Sequence, residues 1–147
     1  MPTPNTKMRT AAQSVAPVDT KAIAKMLGKT LSRVRSLTTG IVVRAEYDGS
    51  SAGRSRNAYQ RSRGVIRNRR DVEKLERLLQ RAQELSPSLG TSFHNTTLEL
   101  SAVTRAIVRH CEFFPRNSEW AGEPLIRKRN HLLSDAQETI RWFAKVK

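Results

Sequence analysis

Apolar residues recur along this chain at spacings of three and four, the period of a helix with one buried face. From Val18 the pattern runs through Ala22, Ile23, Met26, Leu27, Leu31, Val34 and Leu37, with Asp19 placed to cap the first turn. It predicts an amphipathic helix over roughly 19–38. The stretch "TTGIVVRAEYDG" then changes character: β-branched residues cluster, and Val43, Ala45 and Tyr47 alternate with Arg44 and Glu46. A short strand ending in an Asp48–Gly49 turn is the expectation there.

Beyond it the helical period returns. Val72, Leu75, Leu79 and Ala82 form a short heptad seam over 71–86, with Asp71, Glu73 and Glu76 near the first turn, where the helix dipole favours acids. "SPSLG" stops this helix. A second helix is expected from about Thr96, where Thr96-x-x-Glu99 fits a capping box, to Phe113. Its stripe is Leu100, Val103, Ile107, Cys111 and Phe114. Pro115 ends it, and Gly122 and Pro124 mark a loop. Ser134-x-x-Gln137 reads as the cap of a terminal helix, 134–146, with Leu133, Ala136, Ile140, Phe143 and Ala144 on its apolar face. The fold class is therefore mainly α: a small helical bundle over 71–147, preceded by an extended tail (1–17) and a basic, partly extended region (18–70). Three aliphatic stripes can share one core.

Charge changes the picture. The 147 residues carry a net charge of +14. Residues 1–70 hold 15 basic and 3 acidic side chains, against 12 and 10 in residues 71–147. Arginines number 19 and lysines 8. Arginine's planar fork matches phosphate, so the balance favours a nucleic-acid partner over simple solubility. The segment "GRSRNAYQRSRGVIRNRR", residues 53–70, concentrates seven arginines without one acid. On a helix Arg56, Arg63, Arg67 and Arg70 would share a face, with Arg54 and Arg61 flanking it and Arg69 close by. Ser55, Asn57, Tyr59, Gln60, Ser62 and Asn68 would offer hydrogen bonds between phosphate contacts. Self-repulsion and Gly64 suggest that the free segment is loose and orders on binding.

A second stretch, "AIAKMLGKTLSRVRSL" (22–37), places Ala24, Gly28 and Val34 at offsets of four and six, with Ile23, Leu27 and Leu37 at apolar positions. It resembles the helix-turn-helix of bacterial and phage DNA-binding proteins. That resemblance covers about 20 residues and implies a turn at Gly28 and a recognition helix opened by Thr30, Leu31, Ser32, Arg33 and Arg35, with Lys29 beside it. Lys29 departs from the motif, which has an apolar residue there, and the same apolar positions also fit one unbroken helix.

Other chemistry has little foothold. Gly28-Lys29-Thr30 lacks the earlier glycine of a phosphate-binding loop, since position 23 is Ile. His94, His110 and His131 have no metal-ligand spacing, and adjacent His110 and Cys111 point about 100° apart on a helix. The single cysteine excludes an intrachain disulfide. Trp120 and Trp142 suit a core or loop anchor better than a base-stacking role. Neither a catalytic set nor a cofactor motif is expected, and no run is long enough to span a membrane. The expectation is a non-enzymatic nucleic-acid-binding protein, intracellular in cytoplasm, nucleoid or virion, whose Thr/Ser/Ala-rich opening would also suit organellar import. The alternatives are a sequence-specific DNA-binding regulator and a structural component of a ribonucleoprotein or virion assembly. A homo-oligomer or larger assembly would suit so modest a core.

Overall fold

A computed structural model describes residues 19–113 and 123–145. Four long helices carry the structure. Helix α1 spans Thr20–Gly49, a short α2 spans Ser51–Arg54, α3 spans Ala58–Leu85, α4 spans Thr91–Phe113 and α5 spans Glu123–Lys145. A 3₁₀ turn, Ser86–Leu89, joins α3 to α4. The chain is mainly α, and the described residues include no strand.

The expected strand at 41–47 is instead the last third of α1. The reason lies in its buried positions: Leu31, Val34, Thr38, Ile41, Val42 and Ala45 continue the helical stripe without a break. Packing against that stripe outweighs the β-preference of Ile41, Val42 and Val43, as tertiary context commonly does. Asp19 caps the helix as its position suggests, its Oδ1 accepting from the backbone of Ala22 at 3.0 Å. The Asp48–Gly49 signal marks where α1 stops. The helix passes through Gly28 and Lys29 uninterrupted, so residues 20–39 take the single-helix form.

The arginine-rich segment 53–70 is largely helical, in α2 and the first half of α3. At its entry Ser50 caps α2, its hydroxyl accepting from Gly53 N at 3.2 Å. Gly53 is buried against α1, where an added Cβ would fall 2.0 Å from the Tyr47 carbonyl oxygen. Only glycine permits that approach. Asn57 and Gln60 then form a reciprocal capping box that opens α3. That cap starts the helix 13 residues before Asp71, and the expected boundary at 70/71 falls inside α3. Residues 1–17 lie outside the described residues.

Helices α4 and α5 also begin earlier than the cap signals suggest. Thr96 is inside α4, where its hydroxyl donates to the Ser92 carbonyl at 3.1 Å. Phe93 and Thr97 extend the buried stripe upstream. Gly90, at φ 104°, supplies the left-handed residue just ahead of α4. Pro124 falls in the first turn of α5, where a missing N–H costs nothing. Leu132, Leu133, Ala136 and Ile140 are buried, whereas Ser134 is exposed in mid-helix. Phe114 and Trp120 lie outside the described residues.

One apolar core draws on all four long helices: Leu27, Leu31 and Val34 from α1, Leu75 and Leu79 from α3, Leu100 and Ile107 from α4, Leu133 and Ala136 from α5. Neighbouring helices run antiparallel. Arg44 of α1 meets Asn68 and Asp71 of α3, while Thr30 and Arg33 lie beside Leu78 and Arg81 at the other end. Glu76 of α3 pairs with Arg105 of α4, and Glu99 of α4 with Lys128 of α5.

Candidate nucleic-acid interface

Helix α3 presents two different sides. Its buried residues, Leu75, Leu79 and Ala82, all fall in the second half. Beside that apolar face runs a different repeat: Arg63, Arg67, Arg70, Lys74, Arg77 and Arg81, spaced 4, 3, 4, 3 and 4. On a helix these six lie within an arc of about 80° and extend for about 27 Å. All six are exposed. None of them is in an ion pair among the described residues, whose pairs are Arg44–Asp71, Arg56–Asp48, Arg105–Glu76, Lys128–Glu99 and His131–Asp135.

The first part of this edge faces α1 across an open cleft of about 760 Å³, lined by Arg44, Arg56, Gln60, Arg63, Gly64, Ile66, Arg67, Arg70, Asp71 and Lys74. Asp71 is the one acid in the lining. Its carboxylate is engaged by Arg44, whose Nε also donates to Asn68 Oδ1 at 2.5 Å. The acid is thus neutralised in place, and Arg56 is paired with Asp48, whereas Arg63, Arg67, Arg70 and Lys74 are in no ion pair among the described residues. Gly64 leaves room for Arg56, since a Cβ there would stand 3.3 Å from the Arg56 guanidinium. Further along, a smaller groove is lined by Met26, Lys29, Thr30, Arg33, Leu78 and Arg81. Cations therefore flank the α1–α3 seam at both ends.

The expected site residues divide accordingly. Arg63, Arg67 and Arg70 line the cleft, and Lys29 and Arg33 line the smaller groove with Arg81. Arg54 and Arg69 are exposed outside these linings. Arg61 is exposed and donates to the Arg56 carbonyl. Arg56 is tied up within the molecule: it pairs with Asp48, donates to the Gly53 carbonyl at 3.1 Å and stands 5.3 Å over the Tyr47 ring. It fixes the corner between α1 and α3 while lining the cleft. Thr30 is buried, and its hydroxyl donates to Met26 O at 2.8 Å, so its side chain points into the bundle. Ser32 and Arg35 are exposed on α1. Lys74, Arg77 and Arg81 were not among the expected contacts, although their spacing continues that of Arg63, Arg67 and Arg70. The acids at 71, 73 and 76 mask that continuity when charge is read along the sequence instead of around the helix. Arg44 was hidden in the presumed strand.

Arg35 lies near the structure's most unusual cation. Arg129 of α5 is 5% exposed, and its Nη1 has no hydrogen-bond partner. Its Nε and Nη2 donate to the Asn130 side chain at 3.3 and 2.8 Å. Burial pushes its pKa below the usual guanidinium value, and Arg35 adds to the shift in the same direction.

His94 and Cys111, both weighed for chemistry, have structural surroundings. Ser86 is fully buried, and its hydroxyl is 2.6 Å from His94 Nδ1 and 3.2 Å from the Gln83 carbonyl. The pair ties the 3₁₀ turn to α4. Cys111 is buried on the α4 stripe. No group of three or more metal-ligating side chains occurs among the described residues, and no described helix is long and apolar enough to cross a membrane. No protein-family profile, curated protein or solved structure matches the chain.

Proposed function

We propose that this is a non-enzymatic nucleic-acid-binding protein that grips the phosphate backbone along the exposed edge of α3 and the cleft between α3 and α1. The observation that carries the reading is the run of six cations from Arg63 to Arg81 on one helix edge, none of them in an ion pair among the described residues. Like charges at i, i+3 and i+4 each destabilise a helix by about 0.2–0.5 kcal/mol. Asp71, the acid nearest the run in the cleft, is already held by Arg44, and a phosphate polymer is the partner that would relieve the repulsion that remains. Five of the cations are arginines, which suit bidentate phosphate contact. Lys29, Arg33 and Arg44 on α1 supply the opposite wall, and contacts of this kind track a backbone without reading base edges.

The test is the salt dependence of binding by the full chain. Six phosphate contacts would give a log–log slope of about −5 on duplex DNA and about −4 on a single strand. A flat response, or no binding at low ionic strength, would remove the reading.

A further inference from the structure

Two tyrosines stand beside the cleft without lining it, and both are exposed: Tyr47 of α1 at 47% and Tyr59 of α3 at 68%. Each is covered on one face by an arginine that lines the cleft, with Arg56 5.3 Å from the Tyr47 ring centre and Arg63 5.8 Å from that of Tyr59. Large apolar surfaces are normally withdrawn from water, and an exposed aromatic beside a phosphate track has a natural use as a stacking platform. The covering arginine holds the ring and polarises it, and leaves the rest of the ring to meet a base. Ile66, 47% exposed and also in the cleft lining, adds apolar surface on the same path.

We infer that the cleft takes an unpaired polynucleotide strand in preference to a duplex, with bases stacking on Tyr47 and Tyr59 while the phosphates follow Arg63, Arg67, Arg70 and Lys74. This rests on the phosphate-binding reading and adds strand type to it. In a duplex the base faces are already stacked on one another, so neither ring finds a partner there, and only the charge would act. In a single strand each base has a free face and can turn into the cleft. A track from Tyr59 to Arg81 is about 33 Å long.

Fluorescence anisotropy on the full chain would test it, using a labelled single strand of about 20 nucleotides, longer than the track at ~3.4 Å per nucleotide. The strand would be offered as DNA and as RNA, alone and annealed to its complement. The expected result is single-strand binding tighter by about tenfold or more, in line with the worth of one stacked base. The double variant Tyr47→Leu, Tyr59→Leu should lose about tenfold or more on the single strand and change duplex affinity less than about twofold. The double Tyr→Phe variant should retain single-strand binding, which separates stacking from a structural role. Equal or tighter duplex binding by the unaltered protein would overturn the strand preference and leave the phosphate reading standing. So would a Leu variant that weakens both forms alike. Failure to bind either form at low salt would overturn both.

Discussion

The two halves of α3 are one continuous helix made for different reasons. The half after Asp71 is helical because Leu75, Leu79 and Ala82 are buried in the core. The half before it has no fully buried residue, and its arginines repel one another. It is held by the Asn57–Gln60 capping box at one end, by the hydrogen bond from Arg44 of α1 to Asn68, and by continuity with the packed half. Because it contributes little to the core, it is free to be covered with cations, and the packed half fixes where those cations point. An exposed cationic edge is thus cantilevered from a core to which it adds little.

That contrast can be broken from either half. The largest effect is expected from Leu79→Ala. Removing this fully buried side chain should cost about 2–5 kcal/mol of stability, read as a lower denaturation midpoint. Next is the pair Arg67→Gln, Arg70→Gln on the cantilevered half. It should weaken nucleic-acid binding by about tenfold or more at low salt and flatten the single-strand salt slope by about 1.4, while the denaturation midpoint holds or rises. Equal losses of stability from both variants would mean that the two halves are not distinct. Asn57→Ala should cost about 1 kcal/mol of helix stability. Hydrogen exchange should locate that loss in residues 58–70, with 72–85 still protected.

The smallest effect concerns α1. At Gly28 an added Cβ would meet Ile140 Cγ2 at 3.5 Å, an ordinary contact. Gly28→Ala should therefore stabilise the protein by about 1 kcal/mol, as expected inside an uninterrupted helix. A destabilised variant would instead point to a turn at that glycine, as the helix-turn-helix resemblance implies.

The parts of this architecture that were legible in the sequence are those where a stripe of core residues dictates the period. Leu75, Leu79 and Ala82 mark α3, and Leu100, Val103, Ile107 and Cys111 mark α4. The misread parts are those where a local signal competes with packing. Ile41, Val42 and Val43 have β-preference, yet the first two are buried on a helical stripe. Thr96 and Ser134 look like caps but lie within helices, because Phe93 and Leu132 bring more apolar surface to the core upstream. The arginines of 53–70 were visible as a charge cluster. Their extension to Lys74, Arg77 and Arg81 was not, because Asp71, Glu73 and Glu76 interrupt the run in sequence but not on the helix edge. The pairing of Arg44 with Asp71 depends on the α1–α3 crossing, which no local pattern specifies.

Two acids of α3 are held on different sides of the helix: Asp71 lines the cleft beside Arg44. Glu76 turns toward Arg105 of α4, on the edge away from Arg44 and the basic row. Were the exposed row of α3 to bind a polyanion as proposed, the field between them would exert a torque on the protein before any contact forms. On that reading the protein would turn into register as it approaches, and a larger share of its collisions would arrive cleft first.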